Sequence, residues 1–75
     1  MNNFPPRATV ENLKAQYPKG TRVELVWMQD PYTYIAPGTK GTVEAVDDIG
    51  TVHVKWDDGH RLGAAYGTDK IRKIN

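Results

Sequence analysis

Two carboxylate pairs, Asp47-Asp48 and Asp57-Asp58, and two imidazoles, His53 and His60, are the side chains whose chemistry could amount to acid–base catalysis or metal binding. Each pair runs directly into a glycine-containing turn, Asp48-Ile49-Gly50 and Asp58-Gly59. In such turns an Asp bonds its own backbone and a Gly takes positive φ, which accounts for the carboxylates without catalysis. Neither histidine has a second ligand at a spacing that zinc uses. The chain has no Cys and no Ser, so thiolate ligands and two common nucleophiles are absent. Gly38-x-x-Gly41 leads into a strand instead of a helix, which removes it as a phosphate loop. The residues therefore predict a non-enzymatic protein with no cofactor and no metal.

The aromatic side chains carry the stronger chemistry. Tyr32 and Tyr34 fall in a long segment between strands, and Tyr66 lies between small residues. Such amphipathic rings give contact area at little entropic cost. That they share one surface is what the resemblance to SH3-like barrels given below implies, since there the first long loop and the segment before the 3₁₀ turn often border one groove. On it Tyr32, Tyr34 and Tyr66, flanked by Trp27 and Arg61, are the expected contact residues for a protein or peptide partner. Trp27 and Trp56 also share the parity of core positions, so burial is the competing expectation for both. Nucleic-acid binding is the alternative, carried by Lys19, Arg22, Lys40, Arg61, Arg72 and Lys73 with an exposed tyrosine. A net charge of +1 weighs against it, because unspecific nucleic-acid binding needs a basic field. Basic residues gather near both ends and acidic ones between, so termini that meet would set one basic face against two acidic turn tips. A monomer or a weak homo-oligomer is expected, the latter through a strand edge or a helix stripe.

The elements that must position these groups follow from periodicity. Residues 1–8, with Pro5-Pro6, read as a disordered tail. Thr9 reads as an N-cap for a helix over about 9–17, with Val10, Leu13 and Tyr17 on one face and Pro18 and Gly20 ending it. From Thr21 the period becomes two, with Val23, Leu25 and Trp27 inward. Residues 28–39 form a loop of about twelve residues in which Pro31 and Pro37 oppose a ladder. A second strand, 41–46, places Val43 and Ala45 inward. A third, 51–56, places Val52, Val54 and Trp56 inward. Asp58-Gly59 reads as a type I′ hairpin turn, followed by a strand over about 60–64. A 3₁₀ turn at 68–70 leads to a last strand, 71–74, placed to pair with the first. Seventy-five residues make one domain with one small core, worth on the order of 3–5 kcal/mol of net stability.

The order strand, long loop, hairpin, hairpin, 3₁₀ turn, strand resembles an SH3-like barrel, and Gly38-x-x-Gly41-x-Val43 with Val52-x-Val54-x-Trp56-Asp-x-Gly59 resembles KOW-type modules. Tyr17-Pro-Lys-Gly-Thr-Arg-Val-Glu-Leu, Asp30-Pro-Tyr32, Pro37-Gly-Thr-Lys-Gly-Thr-Val and Val46-Asp-Asp-x-Gly50-x-x-His-Val-Lys-Trp-Asp-x-Gly59 together look like an uncharacterised domain family of bacteria and their phages. The resemblance spans about residues 10–74. It implies a mainly β protein, a small five-stranded SH3-like barrel with a short N-terminal helix (barrel about 20–74), and brings no established activity. A cytoplasmic location is expected. The absence of Cys suits a reducing compartment, no signal-like apolar run occurs in residues 1–10, and no stretch approaches the roughly 20 apolar residues of a membrane span.

Overall fold

The computed structural model describes residues 4–30 and 32–74. It is mainly β: five antiparallel strands in one sheet, preceded by one helix. In chain order the elements are α1 (Arg7–Gln16), β1 (Arg22–Trp27), β2 (Lys40–Val46), β3 (Thr51–Trp56), β4 (Arg61–Ala65) and β5 (Lys70–Lys73).

The helix starts two residues before the expected Thr9. Pro6 occupies the N-cap and its carbonyl accepts from Val10 N at 3.1 Å. Proline's fixed φ suits the extended entry to a helix, and it supplies no capping side chain to the first turn. Arg7 and Ala8, expected in the tail, are thus helical, while residues 1–3 lie outside the described residues. The apolar face is the expected one. Val10 and Leu13 are buried, and Tyr17 packs against the core.

The sheet runs β4-β3-β2-β1-β5. The last strand pairs with the first as expected, Val23 opposite Lys73 and Leu25 opposite Ile71. No ladder joins β4 to β5, so the sheet is not closed. The core is Val23, Leu25, Ile35, Val43, Val52, Val54 and Trp56. Trp56 is buried with its indole N–H donating to Leu62 O at 2.9 Å, the partner a buried indole requires.

Two β-bulges account for the inward residues that alternation misplaces. In β1 the register shifts between Leu25 and Trp27; in β2 it shifts between Val43 and Ala45. A bulge adds one residue to one strand and reverses the facing of the residues beyond it. Trp27 and Ala45, both expected inward, are exposed, whereas Met28 and Val46 pack on the core.

The hairpins also differ from expectation. Among the described residues no non-glycine has positive φ, which rules out type I′ at Asp58-Gly59. Gly59 N donates to Trp56 O at 3.0 Å and Trp56 N to His60 O at 2.8 Å, with Gly59 at φ 100°. That is a three-residue loop, a type I turn followed by a left-handed glycine. Gly50 N to Asp47 O and Asp47 N to Thr51 O repeat the arrangement in the β2–β3 hairpin. After β4, Thr68 N donates to Ala65 O at 3.1 Å with Gly67 at φ 83°, a turn rather than the expected 3₁₀ segment.

Candidate functional site

The four aromatic side chains singled out as contacts stand in water. Tyr32 is 94% exposed, Tyr34 77%, Tyr66 56% and Trp27 51%, so the core does not use them. The long loop that carries two of them is pinned from both ends. Asp30 Oδ1 accepts from Tyr32 N at 2.8 Å and Thr33 N at 3.1 Å, an Asx turn. Buried Ile35 anchors the middle, and Gly38 N to Leu25 O and Leu25 N to Thr39 O stitch the far end to β1. Pro31, read as opposing a ladder here, lies outside the described residues.

Trp27 and Tyr66 come from distant parts of the chain, and Asp69 links the backbone segments that follow the one and precede the other. Its Oδ1 accepts from Gln29 N and its Oδ2 from Ala65 N, each at 2.9 Å. One carboxylate thereby ties the segment just after Trp27 to the residue just before Tyr66. Asp69 was not among the expected site residues. Its signal, an Asp beside a glycine turn, is the same one that Asp47, Asp48, Asp57 and Asp58 give, and turn chemistry accounts for all of them. Arg61 is not part of this group. It starts β4 and Tyr66 follows its end, a separation of roughly 16 Å at about 3.3 Å per residue. Its guanidinium faces Glu44 at 3.6 Å instead.

The basic residues are largely engaged within the sheet's outer face. Arg22 makes a two-point pair with Asp57, Nη1 to Oδ1 at 2.9 Å and Nη2 to Oδ2 at 2.6 Å, and Nη1 also reaches Thr42 Oγ1. Arg72 pairs with Glu24 at 2.8 Å across β1 and β5. Lys73 sits over the Tyr17 ring, 5.7 Å from its centroid. Lys19 and Lys40 are exposed and make no ion pair among the described residues. The termini do meet, through β1 and β5, but the charges mix there instead of separating into opposed faces.

The candidate catalytic groups are bound up in turn chemistry. Burial would raise the Asp47 carboxyl, but it accepts hydrogen bonds from Thr51 N–H, His53 and Ile49 N–H, which hold it below the ordinary carboxylate range. Asp58 is held low by the His60 backbone N–H and its imidazole, Nδ1 to Oδ2 at 3.0 Å. Asp57 is held low by the Arg22 guanidinium. No group of three His, Asp or Glu among the described residues could hold a metal ion.

Beside Tyr66 the unladdered edge between β4 and β5 leaves a cavity of about 210 Å³. Residues of α1, β3, β4 and β5 line it, with buried Leu13, Val52 and Ala64 deepest and Tyr17, Tyr66 and Lys70 nearer the solvent. None of these except Tyr66 was expected at a site, because the cavity exists only where the open edge meets the helix.

Residues 6–74 match the family described as a domain of unknown function, DUF4314. No curated protein and no solved structure matches the chain. Matched over nearly all of its residues, the chain belongs to the DUF4314 family.

Proposed function

We propose that this chain is a non-enzymatic module that binds a protein or peptide segment through the aromatic surface around Trp27 and Tyr66, extended by Tyr32 and Tyr34 on the long loop. The carrying observation is the exposure of these four rings in a domain with so small a core. A chain that needs apolar burial to fold and leaves four large rings in water gains from them when a partner covers them. The strand order β4-β3-β2-β1-β5, with a long first loop and two tight hairpins, supports an open SH3-like barrel as the scaffold. We place the protein in the cytosol of a bacterium or in a phage-infected cell. The absence of Cys suits that setting, and no helix among the described residues is long and apolar enough to cross a membrane. Binding to nucleic acid is the weaker reading, since Arg22 and Arg72 would have to leave carboxylates to reach phosphates.

A display selection from a random peptide library tests the proposal. Enriched peptides should lose at least tenfold in affinity against Tyr66→Ala and against Tyr32→Ala/Tyr34→Ala, with thermal midpoints unchanged because the rings are exposed. Equal binding by all three proteins, or an oligonucleotide that binds at low salt more tightly than any peptide, would overturn it.

A further inference from the structure

Where the sheet fails to close, the molecule has a cavity with an apolar floor and a positive mouth. Leu13, Val52 and Ala64 at its base are buried, and Ile71 is half-buried beside them. Its volume of about 210 Å³ exceeds the roughly 150 Å³ apolar cavity that accepts benzene, so one large aliphatic or aromatic side chain fits. Tyr17 and Tyr66 stand on opposite elements beside it. The one charged side chain that lines the cavity among the described residues is a cation. Lys70 lines the cavity and makes no ion pair among the described residues. The Lys73 ammonium is held nearby over the Tyr17 ring. No carboxylate lines the cavity among the described residues. The nearest in sequence, Asp69, has each oxygen taken by a backbone N–H.

We infer that the opening between β4, β5 and α1 is an anchor pocket for an extended partner segment that inserts one large apolar side chain and carries acidic residues beside it. The anchor supplies burial, and Lys70 and Lys73 meet the flanking carboxylates. The same bonds that occupy Asp69 explain why the partner is anchored by a side chain and not added as a sixth strand. Ala65 N already donates to Asp69, and Ala65 O accepts from Thr68 N and Asp69 N, so that end of the β4 edge offers no open ladder. The inference rests on reading the aromatic surface as a peptide site, and it adds where the anchor goes and what charge accompanies it.

Two octapeptides blocked at both ends test it: Glu-Glu-Gly-Leu-Phe-Gly-Glu-Glu and its counterpart with every Glu replaced by Lys. The acidic peptide should bind at least tenfold more tightly and weaken severalfold between about 50 and 300 mM salt. NMR shifts should concentrate on the methyl groups of Leu13, Val52, Ala64 and Ile71. Lys70→Glu, an exposed change that leaves the fold intact, should remove or invert the preference. Equal affinity for both peptides, or shifts confined to the Tyr32–Tyr34 loop, would overturn the anchor pocket while leaving the aromatic surface standing. A protein that binds neither these nor any library-selected peptide would overturn both.

Discussion

Gly41 shows how little slack the core has. A Cβ there would stand 2.5 Å from Val54 Cγ1 and 2.9 Å from the Trp56 ring, closer than side-chain carbons approach. Gly41→Val should therefore cost about 1–3 kcal/mol through overpacking, read as a fall in urea midpoint with unchanged slope. The turn carboxylates give a second test. Asp47, Asp57 and Asp58 are all held below their ordinary value of 3.8. A carboxyl that binds its proton less tightly when folded stabilises the fold above the unfolded value, and that stability is lost as pH falls through the lowered value. The thermal midpoint should thus be flat between about pH 5 and 7 and decline below about pH 4. Asp47→Asn should make the decline shallower, and the same slope in both proteins would contradict the assignment. At the other limb, Lys14 is raised above 10.5 by its hydrogen bond to Asp48. Its contribution is complete below that value and disappears above it.

At the scale of elements, the glycine-closed hairpins set the strand pairing. Gly50 is at φ 84° and packs against Pro5, with a Cβ position only 2.7 Å from the Pro5 ring. Gly50→Ala should destabilise by about 1–3 kcal/mol from the left-handed backbone alone, and the Pro5 contact adds to it. A variant as stable as the parent in denaturant titration would refute this. These elements also mark how far the sequence could be read. Strand β3 was fully legible, since Val52, Val54 and Trp56 alternate with His53 and Lys55 and nothing interrupts the register. Strands β1 and β2 were legible only to their bulges. Ala45 is small enough for either face and Trp27 is the residue one most expects inside, so composition cannot signal the shift. The helix start was missed because a proline N-cap leaves no capping side chain to recognise. Of the site, the exposed tyrosines were visible as residues unused by any core pattern. The Asp69 tie and the anchor pocket were not, because each joins segments far apart in the chain.

For the whole molecule, the margin is thin. A single core of this size supplies on the order of 3–5 kcal/mol, and truncating a buried Trp costs about 3–5 kcal/mol. Trp56→Ala should consequently show no cooperative thermal transition, whereas Trp27→Ala, at the exposed end of β1, should melt within a few degrees of the parent. Binding at the aromatic surface would then stabilise the fold by mass action. The two bulges have a last consequence at this scale. Each contributes one residue that the inward pattern does not need: without Val26 the run Leu25, Trp27, Met28 alternates in, out, in, and without Glu44 the run Val43, Ala45, Val46 does the same. Deleting one residue from a strand normally turns every later side chain inside out. Here the chain should tolerate a residue fewer at those two places alone, keeping its far-UV spectrum while deletion of His53 abolishes it. What such a shortened strand forfeits is its extra bend, so a molecule one residue shorter would fold with a flatter sheet.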